Sequence, residues 1–187
     1  MKIKRKTVSN VILIVLILSF FITPLGDFSK ELLNKWFASV PTIIGSQNQG
    51  KIADYNWKLK DAEWNYFNFE EAKNHVVFIN FWASWNLPSR AQLDDIQELY
   101  ELYKGKVKFY IITDEEKEDP EEIMAQRGYS FPITYQIIGE PSPIQLLKPP
   151  GTYILDKKGN IVVHQNDIAN WNNQKIYQLL DDLIKEQ

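Results

Sequence analysis

The chain has 187 residues and a formal charge of −3, from 21 lysines and arginines against 24 aspartates and glutamates. That mild acidity excludes a protein built to bind nucleic acid, which needs a concentrated basic surface. Hydrophobic residues make up 44% of the sequence and aromatics 13%, enough apolar surface for a proper core, and cysteine is absent.

The amino terminus predicts an export segment. Lys2, Lys4, Arg5 and Lys6 precede an uncharged run over residues 7–26, whose apolar centre is 11–22. The centre alone suits a signal-peptide core, while the whole run approaches the ~20 residues a spanning helix needs. Thr23-Pro24-Leu25-Gly26 is a poor cleavage signature, which favours an uncleaved anchor over a cleaved signal peptide. Either way, the positive-inside rule keeps the basic cluster cytoplasmic and places the chain after Asp27 outside, in a bacterial envelope.

Residues 1–26 are therefore read as the anchor or signal, 27–50 as an amphipathic helix and linker, and 51–187 as the folded domain. Phe28, Leu32, Leu33, Trp36 and Phe37 fall at near-helical spacing, so this helix is predicted to lie on the membrane, pack on the domain, or serve as a stalk. Pro41 is read as its end, and G-S-Q-N-Q-G over residues 45–50 as a flexible linker.

The domain alternates strand and helix. Residues 54–59 and 64–69 predict an early strand and its hairpin partner, and V-V-F-I-N-F-W over 76–82 a central strand buried on both faces. Leu93, Ile96, Tyr100 and Tyr103 place a helix over 87–103, followed by a strand over 107–113. Asp119 as N-cap, Pro120 and Gly128 bracket another helix. Strands over 152–155 and 161–164 flank a turn, and Ile176, Leu179, Leu180, Leu183 and Ile184 mark a closing helix. Residues 130–149, with Pro132, Pro141, Pro143 and Pro149, read as a divergent insertion without regular structure.

F-W-A-S-W-N-L-P-S-R over residues 81–90 resembles F-W-A-x-W-C-x-P-C-R, the active-site segment of membrane-attached thiol–disulfide oxidoreductases of the TlpA/ResA type. P-G-T-Y-I-L-D over 150–156 resembles their P-T-T-F-L-I-D, whose leading proline is cis. The resemblance runs from about residue 51 to the carboxyl end. It implies a thioredoxin fold: an α/β domain with a central mixed sheet flanked by helices, after the N-terminal membrane or signal helix.

In this register Asn86 stands at the attacking cysteine and Ser89 at the resolving one. A dithiol couple needs two sulfurs, so redox catalysis is not expected and neither position is expected to be catalytic. Asparagine is among the best N-cap residues, so the helix start is predicted to gain a cap where the family holds a nucleophile. A deliberate cysteine-to-serine replacement would leave serine at both positions, so Asn86 points to natural divergence.

The resemblance also implies a substrate groove, here Trp85, Leu87, Pro88, Pro149 and Pro150. The residue before the cis-proline offers its backbone N–H and C=O to a bound peptide in the family, and Pro149 has no N–H to give. Trp82 reads as core. Trp85 reads equally as a cover on the sheet edge or as an exposed binding residue beside Leu87.

No metal or other cofactor is implied. His75 and His164 lack ligand spacing, and Asp114-Glu115-Glu116 reads as a solvated loop. The leading expectation is a redox-inactive binding or assembly module, with the membrane as one partner through the N-terminal helix and a protein client or envelope protein as another. The alternatives are an enzyme with non-thiol chemistry at Ser89 and a structural membrane subunit.

Overall fold

A computed structural model describes residues 5–22 and 24–186. The elements run α1 (Arg5–Ile22), α2 (Pro24–Phe37), β1 (Lys58–Lys60), β2 (Tyr66–Asn68), β3 (Val76–Phe81), α3 (Leu87–Tyr103), β4 (Val107–Thr113), α4 (Glu118–Arg127), β5 (Ile133–Gln136), β6 (Gly151–Leu155), β7 (Ile161–Gln165) and α5 (Gln174–Lys185). The strands join one sheet in the order β2-β1-β5-β4-β3-β6-β7. It is mixed: β3 lies parallel to β4 and antiparallel to β6.

The apolar run of β3 explains the layering, because side chains of a strand alternate between faces. Val76 and Phe78 enter one core, with Leu93, Ile96 and Leu99 of α3, Ile176, Leu180 and Leu183 of α5, and Trp171. Val77, Ile79 and Phe81 enter a second core with Ile52, Trp57, Phe69 and Ile144. The strand is buried along its whole length, as the sequence predicts.

The boundaries of α3 and β4 coincide with those predicted, and β1–β2 and β6–β7 are antiparallel hairpins. Three expectations change. The proline-rich stretch contains β5, which pairs parallel with β4 and antiparallel with β1. Residues 130–132 and 137–149 remain irregular, and Ile144 and Tyr153, whose hydroxyl donates to the Gln145 carbonyl at 3.1 Å, secure the longer stretch over the second core. Lys117, not Asp119, occupies the N-cap of α4 and gives no side-chain cap, whereas Gly128 closes the helix in the left-handed conformation at φ 67°.

The predicted flexible linker is tied down. Ile44 N–H donates to the Val162 carbonyl at 2.9 Å, Ile161 N–H to Gly50 at 2.7 Å, and Ile52 N–H to Gly159 at 2.9 Å. These bonds satisfy the open edge of β7, which would otherwise present unpaired backbone groups.

Among the described residues no helix is long and apolar enough to cross a membrane. Lys2, Lys4 and Thr23 of the expected anchor, and the side chain of Phe28, lie outside the described residues. Helix α2 ends at Phe37, ahead of Pro41, and packs against α3 through its charged face. Glu31, 5% exposed, pairs with Arg90 of α3 and, at 2.5 Å, with Arg127 of α4. Lys35 pairs with Asp95 at 2.7 Å. Burial alone would lower the Lys35 pKa, but the hydrogen bond and charge of Asp95 outweigh it and hold the ammonium above its ordinary value.

Trp171 is fully buried, stacks edge-on against Phe78 at 5.1 Å, and donates its indole N–H to Gln92 Oε1 at 3.0 Å. Trp171→Ala is expected to cost about 3–5 kcal/mol, read as a lowered urea midpoint with unchanged slope.

Candidate functional site

Strand register assembles the site. Phe81, the last residue of β3, pairs with Gly151, the first of β6. The loop leaving β3 toward α3 therefore meets the loop that enters β6, where the Pro149-Pro150 peptide is cis, as the resemblance implies.

Asn86 sits between the two loops and serves both. Its backbone is extended and its Oδ1 accepts from Ser89 N–H at 2.8 Å, forming the N-cap of α3. Its Nδ2 donates to the Pro149 carbonyl at 3.4 Å, a long bond across the cleft. The position before the cis-proline thus has no N–H to offer and a carbonyl already engaged.

Ser89 is fully buried, and its Oγ has no hydrogen-bond partner among the described residues. His75 Nδ1 lies 3.0 Å from the Lys73 carbonyl, and His164 Nε2 lies 3.0 Å from Asn166 Oδ1. Among the described residues neither imidazole bonds the buried Ser89 hydroxyl.

Trp82 is fully buried, while Trp85 is 68% exposed. Leu87, Pro88 and Pro149 are half-buried and Pro150 is buried. A small cavity of about 40 Å³ touches Trp82 and Pro149 but is otherwise lined by Phe81, Ile112, Thr113 and Leu147 among others, and it includes none of Trp85, Asn86, Leu87, Pro88 or Pro150. A larger concavity, about 950 Å³, lies elsewhere, between Asp61 and Glu63 of the β1–β2 turn, Lys108 and Tyr110 of β4, and Glu121 and Met124 of α4. It includes none of the residues around Asn86, and the chemistry of the sequence motifs places the candidate site at Asn86. Among the described residues no group of three His, Cys, Asp or Glu is placed to hold a metal.

Two residues of the site escape the sequence reading. Glu115 is not simply solvated: its carboxylate accepts from Ser84 N–H at 2.7 Å, Ser84 Oγ at 2.6 Å and Thr113 Oγ1 at 3.0 Å, bracing the loop before α3. Nothing in the run Asp114-Glu115-Glu116 distinguishes it from its exposed neighbours. Gly151 carried a signal, since it departs from the P-T-T pattern. A Cβ there would stand 2.4 Å from Leu147 Cβ and 3.0 Å from the Lys148 carbonyl, so only glycine lets residues 147–148 lie this close.

Residues 50–164, more than half of the chain, match the family model described as the AhpC/TSA family. The chain belongs to the AhpC/TSA family. Among curated relatives it is 25% identical over 142 residues to the thioredoxin-like protein YneN of Bacillus subtilis, covering 74% of this chain and 81% of that one. It is 29% identical over 113 residues to the thiol-disulfide oxidoreductase ResA of Bacillus anthracis, covering 57% of this chain and 64% of ResA, so it matches just under two thirds of that relative's length. A solved DsbF homologue from Corynebacterium diphtheriae superposes with a TM-score of 0.61 at 16% identity, covering 78% of this chain and 94% of that one, and establishes a common fold. The AhpC/TSA match covers both loops of the site, and this member carries no cysteine in either.

Asn86→Ala removes the cap and the cross-cleft bond and is expected to destabilise the domain by about 1 kcal/mol, with Asn86→Asp retaining most of the cap. Gly151→Thr, which restores the family residue, is expected to cost about 1–3 kcal/mol by overpacking against Leu147. Chemical denaturation of the three variants side by side checks both.

Proposed function

We propose that this chain is a membrane-anchored, extracytoplasmic member of the thioredoxin-like family that has exchanged dithiol chemistry for binding. It acts as an assembly or docking module whose contact surface centres on Trp85 and Leu87, beside the bond between Asn86 and Pro149. The observation that carries the reading is Asn86. A capping side chain bonded to both Ser89 and Pro149 occupies the place of the nucleophile, and no cysteine exists elsewhere in the chain to replace it.

Exposure of an indole beside a rigid, capped helix start supports the binding role. Tryptophans of this kind anchor protein interfaces, because a large rigid side chain loses little entropy on burial. The engaged Pro149 carbonyl and its missing N–H favour a partner that covers the rim of the cleft over one that pairs an extended peptide with that backbone. The anchored, extracytoplasmic placement rests on the basic cluster and the apolar run that follows it.

A photo-crosslinking amino acid at Leu87 of the full chain, in its native membranes, tests the reading. The expected result is a discrete adduct that Trp85→Ala abolishes and Ser89→Ala preserves. Trp85→Ala should keep the wild-type stability within about 0.5 kcal/mol, because the indole is exposed. An adduct indifferent to Trp85→Ala, or disulfide reduction by pure protein free of added thiol, would overturn it.

A further inference from the structure

A helix that docks on a water-soluble domain ordinarily turns its apolar stripe inward and its charges outward. Helix α2 does the reverse. Glu31 and Lys35, one turn apart, face the domain and pair with Arg90, Arg127 and Asp95. Leu32, Leu33, Trp36 and Phe37 occupy the opposite arc at i, i+1, i+4 and i+5 and face outward, with Trp36 84% and Phe37 82% exposed.

The orientation is locked electrostatically. Rolling the helix to bury its aromatics would strand the Glu31 carboxylate and leave Arg90 and Arg127 without their shared partner, which is costly for charges removed from water. The apolar row therefore needs something outside the domain to cover it.

The occupant we infer is lipid. Immediately before α2, helix α1 exposes an unbroken apolar series from Val11 to Leu18, so the uncovered surface continues along the chain toward the proposed anchor. A second copy seated on α2 would cover Trp36 and Phe37 yet leave α1 in water. An amphipathic helix with Trp and Phe on one face and leucines beside them matches the composition of segments that lie in the plane of a bilayer interface.

We propose that α2 lies in the membrane interface with Leu32, Leu33, Trp36 and Phe37 in lipid. Its ion pairs then hold α3, and with it Asn86 and Trp85, roughly one helix diameter, about 10 Å, above the headgroups. The inference rests on the anchored reading above and adds to it a fixed orientation: the degenerate site faces partners at the membrane surface.

Because the chain has no cysteine, a single introduced thiol gives a unique label. The full-length protein is reconstituted into phosphatidylethanolamine–phosphatidylglycerol vesicles with an environment-sensitive fluorophore on Phe37→Cys. The expected result is a blue-shifted emission quenched several-fold more by lipids spin-labelled in the upper acyl chain than that of a label on Leu102→Cys, an exposed position of α3. Energy transfer from a label on Trp85→Cys to headgroup acceptors is expected to fall in Glu31→Lys, which sets a cation against Arg90 and Arg127. Protein that floats with vesicles while the Phe37 label remains in water would overturn this inference alone. Protein that does not float would overturn the anchored reading with it. Self-crosslinking at Phe37 would assign the face to a second copy and also overturn it.

Discussion

The burial of β3 on both faces is the constraint from which the remaining architecture follows. A strand with no solvent face requires a cover on each side, so α3 and α5 pack on one and residues 52–69 with the 137–149 segment on the other. Its two neighbours then fix the site. Pairing with β6 brings Gly151 opposite Phe81, and the two loops beyond that pair have nowhere to go but toward each other. The meeting of Asn86 with Pro149 is thus a product of register. It does not depend on any reactive group at the meeting point, which is why the geometry is found in a chain without cysteine.

What occupies that point follows from the helix start. The first turn of α3 presents unsatisfied N–H groups and the positive end of the helix dipole. In a dithiol enzyme the same field stabilises a thiolate. Here the demand is met by a neutral side chain, with Asn86 Oδ1 taking the Ser89 N–H. The two solutions compete for one location, because an N-cap oxygen and an attacking sulfur cannot both stand at the same Cβ. Satisfying the donors locally removes the reactivity and stiffens the loop. Glu115 adds to that stiffness by gripping Ser84 through both backbone and hydroxyl.

How much of this was legible in the sequence divides along physical lines. The long apolar segments, β3, α3 and β4, declare themselves through hydrophobic patterning, and Asn86 declares its cap through residue type alone. Strand β5 does not, since Ile133–Gln136 is four residues between prolines and owes its existence to the paired edges of β4 and β1. The segment 45–50 looks flexible by composition, and only the neighbouring edge of β7 explains its order. For α2 the spacing of Leu32, Leu33, Trp36 and Phe37 marks a helix with an apolar face correctly. It cannot say which way that face points, because the answer lies in Arg90 and Arg127, distant in sequence. Gly151 was visible as a departure from a motif, but its reason, the approach of Leu147, exists only in three dimensions.

The energetics make the loss of the sulfurs less drastic for the fold than for the chemistry. A disulfide between positions 86 and 89 would close a four-residue loop, for which chain entropy predicts only about 2 kcal/mol, and nothing when reduced. The cap that stands there contributes about 1 kcal/mol under all redox conditions. Exchange of one for the other therefore leaves the domain close to its starting stability, while the surface around it is free to take on another task. The buried Ser89 hydroxyl, with no partner among the described residues, carries a modest cost. The Glu31–Arg90 pair is its counterpart in gain. Arg90 follows Ser89, and its guanidinium ties α3 to α2 through Glu31. The first turn of α3 therefore carries both the Asn86 cap and the ion pair to α2.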